Sequence, residues 1–274
     1  MNKELKELIF DQINKNNKRR NKVVFLTGAG ISAESGIPTY RGTNGIWVKG
    51  STFYKPESFG TFEHFSKNAD QVWQYTFFRK KMFHDAKPNK NHRLLVQIEN
   101  NLQDRFHCIT QNIDNLHQRA GTERLYEIHG NLREMRCSEE CTKEVYTIPS
   151  EISLKRIDED LTCDEKELLK CTKCGEDTRP NILWFDEFYN ERNFKLHSSL
   201  KLAKNSSLMI ILGTSGATNL PIRLVEQTLK YGGYVIDVNL EDNNFTKSFS
   251  TKKRFYSIRE DIYSFLADML QIIN

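Results

Sequence analysis

The sequence predicts an α/β protein with a doubly wound parallel sheet and a smaller inserted domain. Short apolar runs rich in branched residues recur along the chain with helical stretches between them, a pattern typical of buried parallel strands. A glycine-rich turn directly follows the first run, which makes the predicted sheet Rossmann-like. An aromatic-rich stretch with helical spacing predicts a helical module in the smaller domain, and two pairs of closely spaced cysteines predict a zinc ribbon there.

Four apolar runs supply the predicted core strands. They are VVFL at 23–26, FHCIT at 106–110, LMIILG at 208–213 and YVIDVN at 234–239. Residues 1–22 predict an amphipathic helix followed by a basic turn. The strand pattern is absent from two stretches. Residues 41–91 are rich in aromatic residues at helical spacing, and residues 133–179 are polar and contain the two cysteine pairs. We therefore assign the Rossmann-like domain to 1–40, 92–132 and 180–274, and the small domain to 41–91 and 133–179.

Composition and charge limit the classes of partner that the protein is expected to bind. The 274 residues carry 40 basic and 36 acidic side chains, a formal net charge of +4, so nucleic-acid binding is not required. No run approaches the roughly 18 apolar residues of a membrane helix. The first 22 residues contain Glu4, Glu7 and Asp11 and have no apolar core of signal-peptide length. Because six cysteines suit a reducing compartment, we expect a cytoplasmic protein with no membrane partner.

The glycine-rich turn lies in VVFLTGAGISAESGIPTYRG at 23–42, with Gly28, Gly30 and Ala33 after the strand. This is a GxGxxA variant of the dinucleotide fingerprint, in which glycines permit a tight turn and the close approach of a pyrophosphate, and a helix N-terminus donates N–H groups. Alone, the pattern also fits a packed strand–helix turn. No clear acidic residue ends a second strand about 20 residues on, as a dehydrogenase requires, so a redox function is disfavoured.

The cysteine pairs are Cys137 with Cys141 and Cys171 with Cys174. Four thiolates at this spacing can close a tetrahedral zinc site, and a closed site leaves no position for water or substrate, so the zinc is expected to be structural. An unmetallated redox pair is the competing interpretation. The strongly charged segment 150–170 between the pairs is expected to be a solvated excursion.

Six motifs follow one another in order: GAGISAESGIPTYRG at 28–42, TQNIDNLHQRAG at 110–121, HGN at 129–131, RPNILWFDE at 179–187, GTS at 213–215 and VNLE at 238–241. With these motifs and the four cysteines, the chain resembles the sirtuin family over roughly residues 20–245. The resemblance implies an NAD-dependent protein-lysine deacylase with NAD as co-substrate and one structural Zn²⁺. In that chemistry the acyl oxygen attacks the nicotinamide ribose, nicotinamide leaves, and the acyl group ends on ADP-ribose.

The resemblance also implies roles for individual residues. His129 matches the catalytic base that deprotonates a ribose hydroxyl, a role for which a histidine of near-neutral pKa is suited. Asn112 matches a catalytic residue that binds water and the ribose hydroxyls, and Asp114 matches the residue that holds the nicotinamide carboxamide. The other positions implied to bind NAD are Gly28, Ala29, Gly30, Ser32, Glu34, Tyr40, Arg41, Gln111, Gly213, Thr214, Ser215, Asn239 and Glu241.

Five residues match the family strand that pairs with the backbone of an acyl-lysine peptide: Ile182, Leu183, Trp184, Phe185 and Asp186. Asp186 stands where many relatives have glycine, which leaves the peptide preference open. Relatives that remove acidic acyl groups carry a tyrosine and, three residues later, an arginine; here Thr76 and Arg79 occupy those positions. Arg79 is therefore a candidate contact to an acyl carboxylate, with a solvated helix arginine as the alternative. Deacetylation or removal of a longer acyl chain is the expected activity, with deacetylation first.

Two other functions stay open from the sequence. One is an NAD glycohydrolase or ADP-ribosyltransferase of sirtuin type, against which the intact HGN motif and peptide strand argue. The other is a non-catalytic NAD or ADP-ribose sensor, which would need a defective base although His129 is present.

Overall fold

The structure is a computed structural model that describes residues 1–14, 20–39, 59–156 and 159–274. Its strands are β1 (Lys22–Thr27), β2 (Phe106–Thr110), β3 (Leu125–Glu127), β4 (Gly130–Cys137), β5 (Val145–Thr147), β6 (Thr178–Ile182), β7 (Ser206–Leu212), β8 (Tyr234–Asn239) and β9 (Phe255–Arg259). Its α-helices are α1 (Lys3–Asn14), α2 (Phe62–Lys67), α3 (Ala69–Asp85), α4 (Lys90–Leu102), α5 (Leu116–Ala120), α6 (Cys163–Leu168), α7 (Glu191–Phe194), α8 (Leu196–Lys204), α9 (Asn219–Lys230), α10 (Asn244–Phe249) and α11 (Ile262–Ile273). Tyr40 and Arg41 lie outside the described residues.

Six strands form one parallel sheet in the order β3-β2-β1-β7-β8-β9. The four predicted runs are its central strands, and β1 and β7 are buried almost throughout because helices cover both faces. One face packs on α1, α4 and α11, and the other on α8, α9 and α10. The strand order changes direction at β1, which is flanked by β2 and β7. The doubly wound prediction is confirmed, and this switch point is where such folds bind ligands.

A second, antiparallel sheet has the order β5-β4-β6 and packs with α2 and α3. The described part of segment 150–170 is only in part the solvated excursion expected from its charge. Ile152, Leu161 and Leu169 are buried against Phe65 and Trp73 of the helical part, which offers them apolar surface that sequence reasoning did not anticipate. Two of its charged side chains, Lys155 and Glu165, are also buried and form an ion pair at 2.8 Å.

The turn after β1 continues as a 3₁₀ helix, Ala29–Ser35, and not as the α-helix of the dinucleotide fingerprint. Gly36 ends it in the left-handed conformation at φ 81°, a conformation that favours glycine. Among the helices in the described segments, none combines the length and apolarity needed to cross a bilayer.

Candidate active site

A cleft of about 920 Å³ opens at the carboxyl ends of β1, β7 and β8, between the parallel sheet and the smaller sheet. It brings together residues that are far apart in sequence. The predicted residues that line it are Gly28, Ala29, Gly30, Glu34, Gln111, Asn112, His129, Ile182, Leu183, Trp184, Phe185, Gly213, Thr214, Ser215, Asn239, Glu241 and Arg79. The cleft position agrees with the ligand site of open α/β sheets.

The first wall of the cleft is a glycine cradle made by Gly28, Gly30 and Gly213. A Cβ atom on Gly28 would lie 2.5 Å from Cβ of Thr214, and one on Gly30 would lie 2.7 Å from Cα of Gly213. Gly213 itself has φ +60°. Two strand ends therefore meet at a distance that only glycine permits, and the backbone N–H of Gly30 donates to the carbonyl of Gly213 at 2.8 Å. These glycines line the cleft without side chains of their own, and the N–H groups of Gly28 and Gly30 already donate within the chain.

Behind the cradle, three polar side chains form a buried network. Asn112 Nδ2 donates to the Gly28 carbonyl at 3.0 Å and to Ser32 Oγ at 3.2 Å, and Ser32 Oγ donates to Asp114 Oδ2 at 2.7 Å. Burial raises the pKa of Asp114, although hydrogen bonds from the Leu116 backbone and Ser32 oppose the shift. Asp114 lines a small pocket beside the main cleft, whereas Ser32 lines neither the pocket nor the cleft.

His129 lies at the turn between β3 and β4, where it faces the cleft. Gly130 follows it with φ +76°, and a Cβ there would overlap the carbonyl oxygen of Asn181, so the turn needs glycine. The backbone carbonyl of His129 accepts from Leu183 N at 3.0 Å, which links the turn to the end of β6. Burial lowers the pKa of His129 to about 4, while a hydrogen bond to the Gln111 backbone works against it. The ring is therefore neutral at pH 7, and its pKa lies below the near-neutral value expected from the sequence.

The segment after β6 forms the other wall. The strand ends at Ile182, and the N–H groups of Leu183, Trp184 and Phe185 already donate within the chain, the last to the Gly60 carbonyl at 2.9 Å. Phe185 is nevertheless 56 % exposed, and Leu240, which also lines the cleft, is 74 % exposed. An extended peptide that enters here meets the apolar side chains of Phe185 and Leu240. The backbone N–H groups of Leu183, Trp184 and Phe185 already donate to other groups of the chain.

Asp186 takes a structural position in the described chain. Its carboxylate accepts from the backbone N–H groups of Phe62 at 2.8 Å and Glu63 at 3.2 Å, so it caps the first turn of α2. It does not line the cleft, unlike Phe185 beside it. A direct contact from Asp186 to substrate stays a prediction.

Arg79 lies on α3 and lines both the main cleft and the small pocket that holds Asp114. Its guanidinium carbon is 5.3 Å from the ring centre of Phe83 and 5.9 Å from that of Tyr75. Its charge offsets part of the rise in the pKa of Asp114 that burial causes. Arg79 is half-buried, and its contact to an acyl carboxylate stays a prediction.

The four cysteines come together at one end of the smaller sheet. The Sγ atoms of Cys137 and Cys174 are 3.6 Å apart, as are those of Cys141 and Cys171, and all four lie within 4.8 Å of one another. Zinc–sulfur bonds of about 2.3 Å in a tetrahedron place sulfur atoms about 3.8 Å apart, so the residues fit one Zn²⁺. All four positions would be filled by thiolates, which leaves no coordination site for chemistry.

A model of the Sir2 family matches residues 28–219, well over half of the chain. The chain belongs to the Sir2 family. A relative named NAD-dependent protein deacylase, from Leptospira interrogans, is 36% identical over 236 residues, which cover 86% of this chain and 88% of that protein.

Solved Sir2 structures agree with the arrangement of this family member. A mutant Sir2 homologue in complex with ADP-ribose superposes with a TM-score of 0.79 at 29% identity, covering 100% of this chain and 96% of the other. A Sir2 mutant with a deacetylated p53 peptide and 3′-O-acetyl ADP-ribose gives a TM-score of 0.72 at 31% identity and covers 97% of both chains.

Sequence reasoning missed two polar residues of this Sir2 cleft, Tyr189 and Thr218. Both line the cleft, and the Tyr189 hydroxyl lies 2.8 Å from Nε2 of His129. Thr218 Oγ1 donates to Gln111 Oε1 at 3.1 Å, and Gln111 Nε2 donates to Thr214 Oγ1 at 2.7 Å. Neither residue belongs to a motif, so only the tertiary structure identifies them.

Proposed function

We infer that this chain is an NAD-dependent protein-lysine deacylase that transfers the acyl group to ADP-ribose and releases nicotinamide. The observation that carries the inference is one cleft that contains both the glycine cradle and the neutral imidazole of His129. The cradle suits the pyrophosphate of NAD, and the imidazole suits proton removal from a ribose hydroxyl. The name of the Leptospira relative and the ADP-ribose complex of the Sir2 homologue support the same assignment.

Different residues of the cleft would bind different parts of NAD. NAD supplies the ribose carbon that the acyl oxygen attacks and the hydroxyl that later receives the acyl group. Gly28, Gly30 and Gly213 would seat the pyrophosphate, and Asn112, held by the Gly28 carbonyl and Ser32, would orient the ribose. Asp114 would hold the nicotinamide carboxamide from the small pocket. A low-dielectric cleft strengthens each of these contacts.

Other assignments belong to the same proposal. Ala29, Glu34, Gln111, Thr214 and Ser215 would complete the NAD site around the cradle, and Asn239 and Glu241 at the end of β8 would contact adenosine. Tyr40 and Arg41, which lie outside the described residues, stay predictions as a sugar cover and a phosphate contact. Zn²⁺ on the four cysteines would hold the smaller sheet together.

The substrate proposal is an acyl-lysine protein, with deacetylation as the main reaction. The p53 peptide complex of the Sir2 relative supports a peptide ligand, and the exposed Phe185 and Leu240 offer apolar surface to one. We keep the domain bounds given above, with the small domain at 41–91 and 133–179. A cytoplasmic location is also proposed, because a cluster of thiols and the exposed, unbridged Cys163 suit a reducing compartment.

Release of nicotinamide from NAD tests the function directly. We expect release to depend on an acetyl-lysine peptide, because the acyl oxygen is the nucleophile that expels nicotinamide. Chromatography of nicotinamide and acetyl-ADP-ribose, with and without peptide, measures both products. Equal release without peptide would mean an NAD glycohydrolase, labelling of protein by ADP-ribose would mean a transferase, and NAD binding without any product would mean a sensor.

Arg79→Ala tests the acyl preference. A carboxylate on the acyl chain would form a charge-assisted hydrogen bond worth about 1.5–3 kcal/mol. We therefore expect the variant to lower kcat/KM for a succinyl-lysine peptide by about 10-fold to 100-fold and to change the acetyl-lysine value by less than about twofold. Lys81→Ala, an exposed position on the same helix, is the matched control. Equal losses on both peptides would show that Arg79 supports the fold of the pocket instead.

A further inference from the structure

Two polar side chains of the cleft, Tyr189 and Thr218, are placed near the base and the glycine cradle. The Tyr189 hydroxyl lies 2.8 Å from Nε2 of His129. Thr218 donates its hydroxyl hydrogen to Gln111 Oε1 at 3.1 Å, and Gln111 Nε2 donates to Thr214 Oγ1 at 2.7 Å.

The contact with Tyr189 is compatible with either tautomer of a neutral His129 ring, because the phenol can donate to Nε2 or accept from it. The proposed function decides between them, since a ring that uses Nε2 as the base carries its hydrogen on Nδ1. A neutral ring with hydrogen on Nδ1 has a lone pair on Nε2, and the Tyr189 hydroxyl must donate to it.

Tyr189 is held in this position by its surroundings. Its ring packs edge-on against Phe194 with ring centres 6.5 Å apart. Other ionisable groups close to His129 in sequence or across the turn are engaged elsewhere: Glu127 pairs with Arg133 at 2.8 Å, and Glu187 pairs with Arg179 at 2.6 Å. In the described structure, the side chain that forms a hydrogen bond with Nε2 of His129 is therefore Tyr189.

We propose that Tyr189 is a positioning residue that caps Nε2 of His129 in the substrate-free protein and is displaced by the ribose hydroxyl. The proposal rests on the proposed function, because only a reaction that uses Nε2 as a base needs this nitrogen uncovered. The cap fixes the tautomer with hydrogen on Nδ1 before substrate arrives. It also competes with the hydroxyl that must donate its proton to Nε2.

Tyr189→Phe removes the hydroxyl and keeps the ring that packs on Phe194. Long-range ¹H–¹⁵N NMR of the ligand-free protein should show hydrogen on Nδ1 of His129 in the wild type. In the variant, the Nε2 resonance should move toward the position of a nitrogen that accepts no hydrogen bond. Tyr231→Phe, a partly exposed tyrosine on another part of the surface, should leave the resonance unchanged. An unchanged Nε2 resonance in Tyr189→Phe, or hydrogen on Nε2 in the wild type, would overturn the proposal without reference to activity.

Kinetics give the second readout. Exchange of nicotinamide into NAD precedes the use of the base, so the ratio of the deacylation rate to the exchange rate reports on the step that uses the base. Loss of one competing neutral hydrogen bond should raise the deacylation rate relative to exchange by about 2-fold to 10-fold. A fall in that ratio would show that Tyr189 assists proton transfer and would overturn the capping role. Absence of any NAD cleavage would contradict the proposed function alone, because the NMR result would still stand.

Discussion

His129→Ala should lower the deacylation rate by about 100-fold to 10,000-fold, the range typical of a lost general base. The half-buried imidazole lines the cleft and is neutral at pH 7, since loss of hydration lowers its pKa to about 4. Nicotinamide exchange should persist, because departure of nicotinamide needs no proton removal by this ring. Single-turnover assays of acetyl-ADP-ribose formation and of nicotinamide exchange measure the two steps separately.

The pH dependence of wild-type activity and of acid unfolding in His129→Ala supplies a further check. Below its pKa the ring is protonated and cannot accept a proton, so the wild-type kcat/KM should fall as pH decreases toward about 4. In the unfolded chain the ring takes a proton already near pH 6.5, so the His129 ring destabilises the fold progressively as pH falls from 6.5 toward 4. His129→Ala should therefore be less sensitive to acid unfolding. His84→Ala, an exposed histidine, is the control, and full deacylase activity in His129→Ala would contradict the assigned role.

The central strands and the cradle were predictable because local sequence determines them. Strands β1, β2, β7 and β8 are buried on both faces, so each had to be a continuous apolar run. Gly28, Gly30 and Gly213 were predictable for a related reason. The backbone distance at which two strand ends meet excludes any side chain, and such a requirement appears in the sequence as glycine.

The short edge strands and the smaller sheet depended on contacts that no local pattern records. β3 has three residues, and β9 alternates between half-buried and exposed positions after the buried Phe255, so neither resembles a buried run. Arg179 is almost wholly buried despite its charge, because its guanidinium stacks 3.5 Å from the Trp184 ring centre and pairs with Glu187. The same applies to Tyr189: an ordinary aromatic residue in the sequence becomes a partner of His129 only through folding.

Removal of the zinc ligands should have the largest effect on stability. Structural zinc contributes about 10 kcal/mol or more in small zinc-dependent folds, so Cys171→Ser should lose the metal and unfold the smaller sheet. The loss should also reach the active site. Strand β6 leads from the cysteine cluster to the cleft. Arg179 on that strand donates to the Glu187 carboxylate, which also accepts from the Trp184 backbone N–H at 3.0 Å. We therefore expect inactivation as well as a melting temperature lower by ~10 °C or more.

Metal analysis and calorimetry decide between this outcome and its alternatives. The wild type should hold one zinc per chain, and Cys163→Ser should keep both zinc and activity, because Cys163 is exposed at the start of α6 and is not one of the four clustered thiols. Chelation of the wild type should reproduce the effects of Cys171→Ser, since both remove the same cross-link between β4 and the turn that precedes β6. Retention of one zinc by Cys171→Ser would contradict the ligand set. A chelated protein that kept its melting temperature and its deacylase rate would contradict the structural role, because the Arg179–Glu187 link would then hold the cleft wall without the metal.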